Sequence, residues 1–259
     1  MNGFLLALIG VAAGVLAGLF GIGGGIVMVP ALVLFAGFPL VKATGTSLAA
    51  ILLPVGILGV AAYYKAKIID IRASVFIACG LLASVAGGAW LAHALPAPVM
   101  KRLYAVFCLY VSWTFIRPDR MLLARLGRRP LSDPEPDAVP RPPVPALVGM
   151  GFAAGVMAGM FGIGGGNIIV PLLTLVLRYP PKRAIATSLG AILPPIGLPG
   201  VLYYYQAGTL DIRAALWLAL GLFLGTIFGA RITIRLPSAT VKLLYGLFLV
   251  FVAARFLFF

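Results

Sequence analysis

The chain has 259 residues, 62% of them hydrophobic and only 10% charged, with a mean hydropathy of +1.12. A soluble protein of this size has too little polar surface to cover so much apolar material, so the composition excludes that class and requires a protein embedded in a bilayer. The net charge of +14, from 20 Lys/Arg against 6 Asp/Glu, suits basic flanks of membrane helices and is not read as a nucleic-acid surface.

In chain order, five apolar segments are expected in the first half, at 3–20, 26–38, 46–64, 73–93 and 98–116. They are continuous runs without strict alternation, which selects helices over a barrel. The first segment has no basic region before it and is taken as a retained helix, not a signal peptide. Residues 117–145 form a basic, proline-rich linker holding Asp119, Asp133, Glu135 and Asp137, four of the six acids. Five more apolar segments follow at 146–161, 167–178, 187–205, 214–234 and 239–257. The fold class is therefore all-α: a polytopic membrane helix bundle divided into a repeat at 1–116, the linker at 117–145 and a repeat at 146–259.

The division rests on an internal duplication. A shift of 141 residues superposes 10–115 on 151–256 without a gap, with 49 of 106 positions identical. Each half carries the same glycine-rich break: Gly18-Leu19-Phe20-Gly21-Ile22-Gly23-Gly24-Gly25 before Pro30, and Gly159-Met160-Phe161-Gly162-Ile163-Gly164-Gly165-Gly166 before Pro171. Glycine has no side chain to pack and the most backbone freedom to lose, so such runs interrupt helices. The segment after each break is about 12 residues, too short for a full crossing. It is read as a half-helix or as one arm of a re-entrant hairpin.

Charge decides the expected topology. If the halves are inverted, fifteen Lys/Arg collect on one face and five on the other; if they are parallel, the split is nine to eleven. The positive-inside tendency selects inversion, with the linker cytoplasmic and both termini outside. Inverted halves, each with a broken helix, form the recurrent plan of secondary transporters, whose site lies at the repeat interface.

The candidate binding groups follow from that plan. Backbone N–H groups exposed at Gly21, Gly23, Gly24 and Gly25, and at Gly162, Gly164, Gly165 and Gly166, would face an anion from two helix N-termini. The alternative is a tight packing turn. Gly10, Gly14 and Gly18, with Gly151, Gly155 and Gly159, are read as helix-packing glycines. Thr46 and Ser47, with Thr187 and Ser188, open the third segment of each half and serve either as N-caps or as hydroxyl donors to the anion. Asn167 stands where the first repeat has Ile26, which makes the second loop the more polar. Tyr63-Tyr64 and Tyr203-Tyr204-Tyr205 are read as interfacial aromatics, and Asp70/Arg72 and Asp211/Arg213 as caps or ion pairs. No Asp or Glu lies inside an apolar segment, no metal-ligand cluster is visible, and no nucleophile–base arrangement points to an enzyme. No cofactor is expected.

The paired Gly-Leu/Met-Phe-Gly-Ile-Gly-Gly-Gly motifs with their Val-Pro, the Ala-x-x-Thr-Ser-Leu runs at Ala43–Leu48 and Ala184–Leu189, and the two Asp-Ile-Arg tripeptides resemble the TauE/SafE sulfite exporter family. The resemblance covers nearly the whole chain except the linker. It implies a transporter in the bacterial cytoplasmic membrane, exporting a small sulfur-containing anion such as sulfite, a sulfonate or thiosulfate. A channel-like anion pathway and a carrier of a small non-sulfur carboxylate remain the alternatives. The expected partners are that anion and the lipid bilayer, not nucleic acid; coupling to protons or to the membrane potential, and the oligomeric state, stay open.

Overall fold

The computed structural model describes residues 3–20, 24–52, 60, 63–116, 142–233 and 238–258. Among them every regular element is an α-helix: α1 (Gly3–Phe20), α2 (Gly25–Phe35), α3 (Leu40–Ile51), α4 (Ile71–Ala94), α5 (Ala97–Ile116), α6 (Val144–Phe161), α7 (Gly166–Leu175), α8 (Pro181–Ile192), α9 (Leu198–Gln206), α10 (Ile212–Thr233) and α11 (Ser238–Phe258). The linker at 117–141, Gly21 to Gly23 and the Pro54-Val55-Gly56 run lie outside the described residues.

The helices pack across the repeat boundary. The most extensive contacts are α1 with α10, α4 with α6, and α5 with α11, so each pair joins one helix of each half. Small residues let the backbones touch. A Cβ on Gly10 would strike the carbonyl oxygen of Leu218, and one on Gly151 that of Ile77. Gly14 meets Leu222 in the same way, and Gly155 meets Leu81. Ile77 and Leu81 are the 141-shift equivalents of Leu218 and Leu222, so the two crossings repeat one another reciprocally. This is the close small-residue packing expected of these glycines.

Helix lengths then set what can span. α4 and α6 are long and apolar enough to cross a bilayer core. α2, with 11 residues, and α7, with 10, reach only about 15–17 Å at 1.5 Å per residue. Both carry an internal proline, Pro30 or Pro171.

Two segment boundaries differ from the sequence reading. α3 begins at Leu40 and α8 at Pro181, after the N-cap prolines Pro39 and Pro180, so Thr46-Ser47 and Thr187-Ser188 lie inside helices and are not N-caps. The apolar run at 187–205 is also not one helix. It stops at Ile192 and restarts at Leu198, because Pro194 and Pro195 between them cannot supply helix hydrogen bonds.

Candidate functional site

The second glycine loop is described in full. α6 ends at Phe161, and Gly162 caps it in the left-handed region (φ 68°), its N–H donating to Ala158 O. Gly164 (φ 73°) and Gly165 (φ 83°) hold the same backbone region, and α7 restarts at Gly166. Only glycine adopts that run of positive φ without strain, which explains the motif locally. The N–H groups of Gly164, Gly165, Gly166 and Asn167 donate to no acceptor among the described residues. They are the free donors of a helix N-terminus.

This loop is clasped by the first repeat. Ser47 donates its hydroxyl to Gly162 O at 3.0 Å, and a Cβ on Gly162 would lie 3.0 Å from Thr44 Cα. At the start of α2, a Cβ on Gly25 would collide with the Gly162 carbonyl and come within 2.8 Å of Ile163 Cα. The N-terminus of α2 and the loop before α7 therefore touch inside the bundle. Of the candidate glycines, Gly24, Gly25, Gly162, Gly165 and Gly166 are buried and Gly164 is half-buried; Gly21 and Gly23 lie outside the described residues.

Asn167 occupies the second position of α7 and is 3% exposed, and neither its amide oxygen nor its amide nitrogen has a hydrogen-bond partner. A buried amide left unpaired costs about 1–3 kcal/mol, so such groups call for an explanation. Ile26, its equivalent, is fully buried and needs no partner.

The threonines belong to a different arrangement. Thr46 Oγ1 accepts the backbone N–H of Asp211, and Thr187 Oγ1 accepts that of Asp70, both at 3.2 Å. Each aspartate caps the following helix, Asp70 accepting from Ala73 N and Asp211 from Ala214 N at 3.0 Å. Each then takes a cation from the opposite repeat: Arg183 sits 3.3 Å from Asp70 Oδ2 and Lys42 sits 3.2 Å from Asp211 Oδ2. Both cations lie over an aromatic ring, Arg183 on Tyr179 and Lys42 on Phe38. The Tyr179 hydroxyl adds a bond to Asp70 Oδ2 at 3.0 Å that Phe38 cannot offer. Burial and the adjacent Asp70 carboxylate push the Tyr179 phenol well above its usual range, so it stays a donor. The Asp-Ile-Arg aspartates are thus caps and ion-pair partners at once. Ser188 is buried, at 2% exposure, one residue beyond Thr187.

The Ala214 N–H, followed by the bond and charge of Lys42, holds the Asp211 carboxyl below its ordinary value, against the opposing effect of burial. A depressed folded-state value stabilises the fold above the unfolded value near 3.9 and loses that contribution as pH falls through the folded one. Asparagine still caps the helix, so Asp211→Asn should lower stability at neutral pH only through the lost charge and the screened ion pair with Lys42, by about 0.5–1 kcal/mol. Thermal unfolding of both proteins in detergent checks this: the gap should shrink as pH drops from 7 towards 3. A gap that does not change with pH would contradict it.

The tyrosines at 203–205 separate. Tyr205 is exposed, as an interfacial aromatic would be, but Tyr204 is fully buried and donates to Gly159 O at 2.9 Å, three residues before the loop. His93 contacts Tyr203 edge-on and Tyr204 at a tilt, and bonds Thr209 Oγ1 at 2.8 Å, tying the end of α4 to the turn before α10. Sequence reasoning passed over Lys42, Arg183 and Tyr204 as site-forming residues. Their equal spacing from the motifs (Lys42 and Arg183 are 141 apart) was the available signal.

Two cavities adjoin this region. One of about 600 Å³ lies along α4 and residues 193–199; its lining is apolar apart from Tyr64 and Ser74, and it offers an anion little. Gly164 faces a second, of about 30 Å³, together with Ile51, Leu81 and Pro195. The glycine loop is closed in, with room for about one water beside it.

The family model described as sulfite exporter TauE/SafE matches residues 6–256. The chain belongs to the TauE/SafE family. Its TauE/SafE relatives include the "Probable membrane transporter protein YunE" of Bacillus subtilis, 26% identical over 100% of this chain and 98% of the relative. A probable membrane transporter protein of Haemophilus influenzae is 30% identical, covering 96% of each chain. One from Methanocaldococcus jannaschii is 27% identical over 93% of this chain and 90% of its own length. No solved structure matches this TauE/SafE chain significantly. Family membership makes it a multi-pass membrane transporter for a small molecule, and a transporter family argues against an enzyme.

Proposed function

We propose that this protein is a secondary carrier that exports a small sulfur-containing anion, such as sulfite, a sulfonate or thiosulfate, by alternating access between two inverted halves. The observation that carries the proposal is the contact of Gly25 with Gly162 and Ile163, where the start of one short helix meets the loop opening the other. Two helix N-termini converging in a water-poor interior favour an anion without any cationic side chain. Gly24, Gly25, Gly164, Gly165, Gly166 and Asn167 would supply the donors. Ser47 holds the loop, Ser188 is its buried counterpart in the second repeat, and Thr46 and Thr187 fix the capping aspartates.

The ion pairs support inversion. In the proposed topology one membrane crossing separates Lys42 from Asp70, and its equivalent separates Arg183 from Asp211. With that crossing, the pairing of Asp70 with Arg183 and of Asp211 with Lys42 would put 70 and 183 at one end and 42 and 211 at the other. Parallel halves would put the members of each pair at opposite ends. By the positive-inside tendency, the arginine-rich linker would then make the Asp70 end cytoplasmic. A negative-inside potential drives anions outward, by about 2.3 kcal/mol per charge per 100 mV.

Purified protein in liposomes should move sulfite, a sulfonate or thiosulfate with saturation and counterflow. Movement of cations, or of none of these anions, would sink the proposal. Non-saturating anion flux would indicate a channel instead.

A further inference from the structure

We infer that the transported anion carries its own hydrogen-bond donor, and that Asn167 is the residue that reads it. This rests on the anion being held at the glycine loops. The carboxamide of Asn167 has two kinds of need: its nitrogen donates and its oxygen only accepts. Both atoms are buried and both lack a partner. Because both are unpaired, the conclusion does not depend on which way the amide is turned.

The neighbouring groups are donors as well. The N–H groups of Gly164, Gly165 and Gly166 have no acceptor among the described residues, so a bare oxyanion could satisfy them and the amide nitrogen together. It could do nothing for the amide oxygen, and would set a negative charge beside that oxygen's partial negative charge. An anion with an O–H or N–H next to its oxyanion group satisfies both halves of the carboxamide at once. The first repeat shows that this position does not need a polar side chain for folding, since Ile26 is fully buried there. The polarity is confined to one of the two copies, as a single small ligand with one donor edge would require.

The ligand class is thus a monoanion that retains a donor: hydrogen sulfite, or an amino- or hydroxy-bearing sulfonate. Sulfite dianion and alkyl-capped sulfonates are disfavoured. A site built to pair a donor rejects the analogue that lacks it far more strongly than it rejects a change in apolar bulk.

Sulfamate and methanesulfonate make the decisive comparison, since both are tetrahedral monoanions and only the first bears N–H. In liposomes holding the full chain, sulfamate should compete with labelled sulfite at a concentration about 10-fold or more below that of methanesulfonate. Asn167→Ile, which installs the residue of the first repeat, should bring the two within about twofold while leaving sulfite flux measurable. Should that variant fail to fold, the wild type alone decides: across neutral pH its flux should follow the concentration of hydrogen sulfite and not that of the dianion. Equal competition by the two probes, or flux that follows the dianion, would overturn the inference and leave the anion carrier standing. Absence of sulfite flux altogether would overturn both.

Discussion

Alanine at Gly25 should all but stop transport. The added Cβ has no room, because it meets the Gly162 carbonyl oxygen and Ile163 Cα, both backbone atoms that cannot rotate away. Relief requires the start of α2 to move off the second glycine loop. Overpacking of this kind costs about 1–3 kcal/mol, which a large bundle tolerates. Displacing two sets of converging donors by about 1 Å is the more severe effect, and a misplacement of that size can lower a rate about 100-fold. Controls are available within the same chain. Gly87 and Gly149 lie in helices where an added Cβ would meet nothing within 4 Å, so alanine there should preserve flux and slightly raise the melting temperature. The measurement is sulfite flux in liposomes per inserted protein. Normal flux from Gly25→Ala would mean that the loops are packing turns and that the anion binds elsewhere.

Joining the two repeats at either end should also stop turnover. With Cys79 and Cys108 replaced by alanine, one variant would carry cysteines at Asp70 and Arg183, the other at Lys42 and Asp211. In this structure both links between the repeats are made at once, through the aspartate caps, the threonine hydroxyls and the cations. Alternating access requires each end to open in turn, so a short dithiol linker at one end should abolish exchange while sparing anion binding. A membrane-impermeant linker added to whole cells should join positions 42 and 211 but not 70 and 183. Full flux after complete crosslinking would exclude alternating access. Crosslinking of both pairs from outside would exclude the inverted arrangement.

How much of this was legible in the sequence depends on range. The left-handed glycines at 162, 164 and 165, the short α2 and α7, and the small residues of the helix crossings are local consequences of composition and could be read directly. Helix starts were less legible. Thr46-Ser47 looked like a cap because a polar cluster precedes an apolar run, yet the helix had begun at Leu40 behind Pro39. The hydroxyls were buried not by local preference but because Asp211 N–H and Gly162 O, 165 and 115 residues away, need partners there. Tyr204 misled in the same way. An aromatic near a helix end suits the membrane interface, and only the approach of Gly159 O shows that its hydroxyl is spent inside.

The sequence by itself determined the membrane class, the duplication, the paired helix breaks and, through the arginine distribution, the expected inversion. These properties depend on composition and on residue spacing along one chain, and hydrocarbon solvent leaves few ways to satisfy a backbone. Only the tertiary structure decided which half touches which. Reciprocal packing of α1 on α10 and α4 on α6 brings Gly25 to Gly162, Lys42 to Asp211 and Arg183 to Asp70. It also left Asn167 buried with no partner, while its counterpart Ile26 needed none. Whether a polar group is satisfied depends on every chain segment within about 3 Å of it. No spacing along the sequence records that distance.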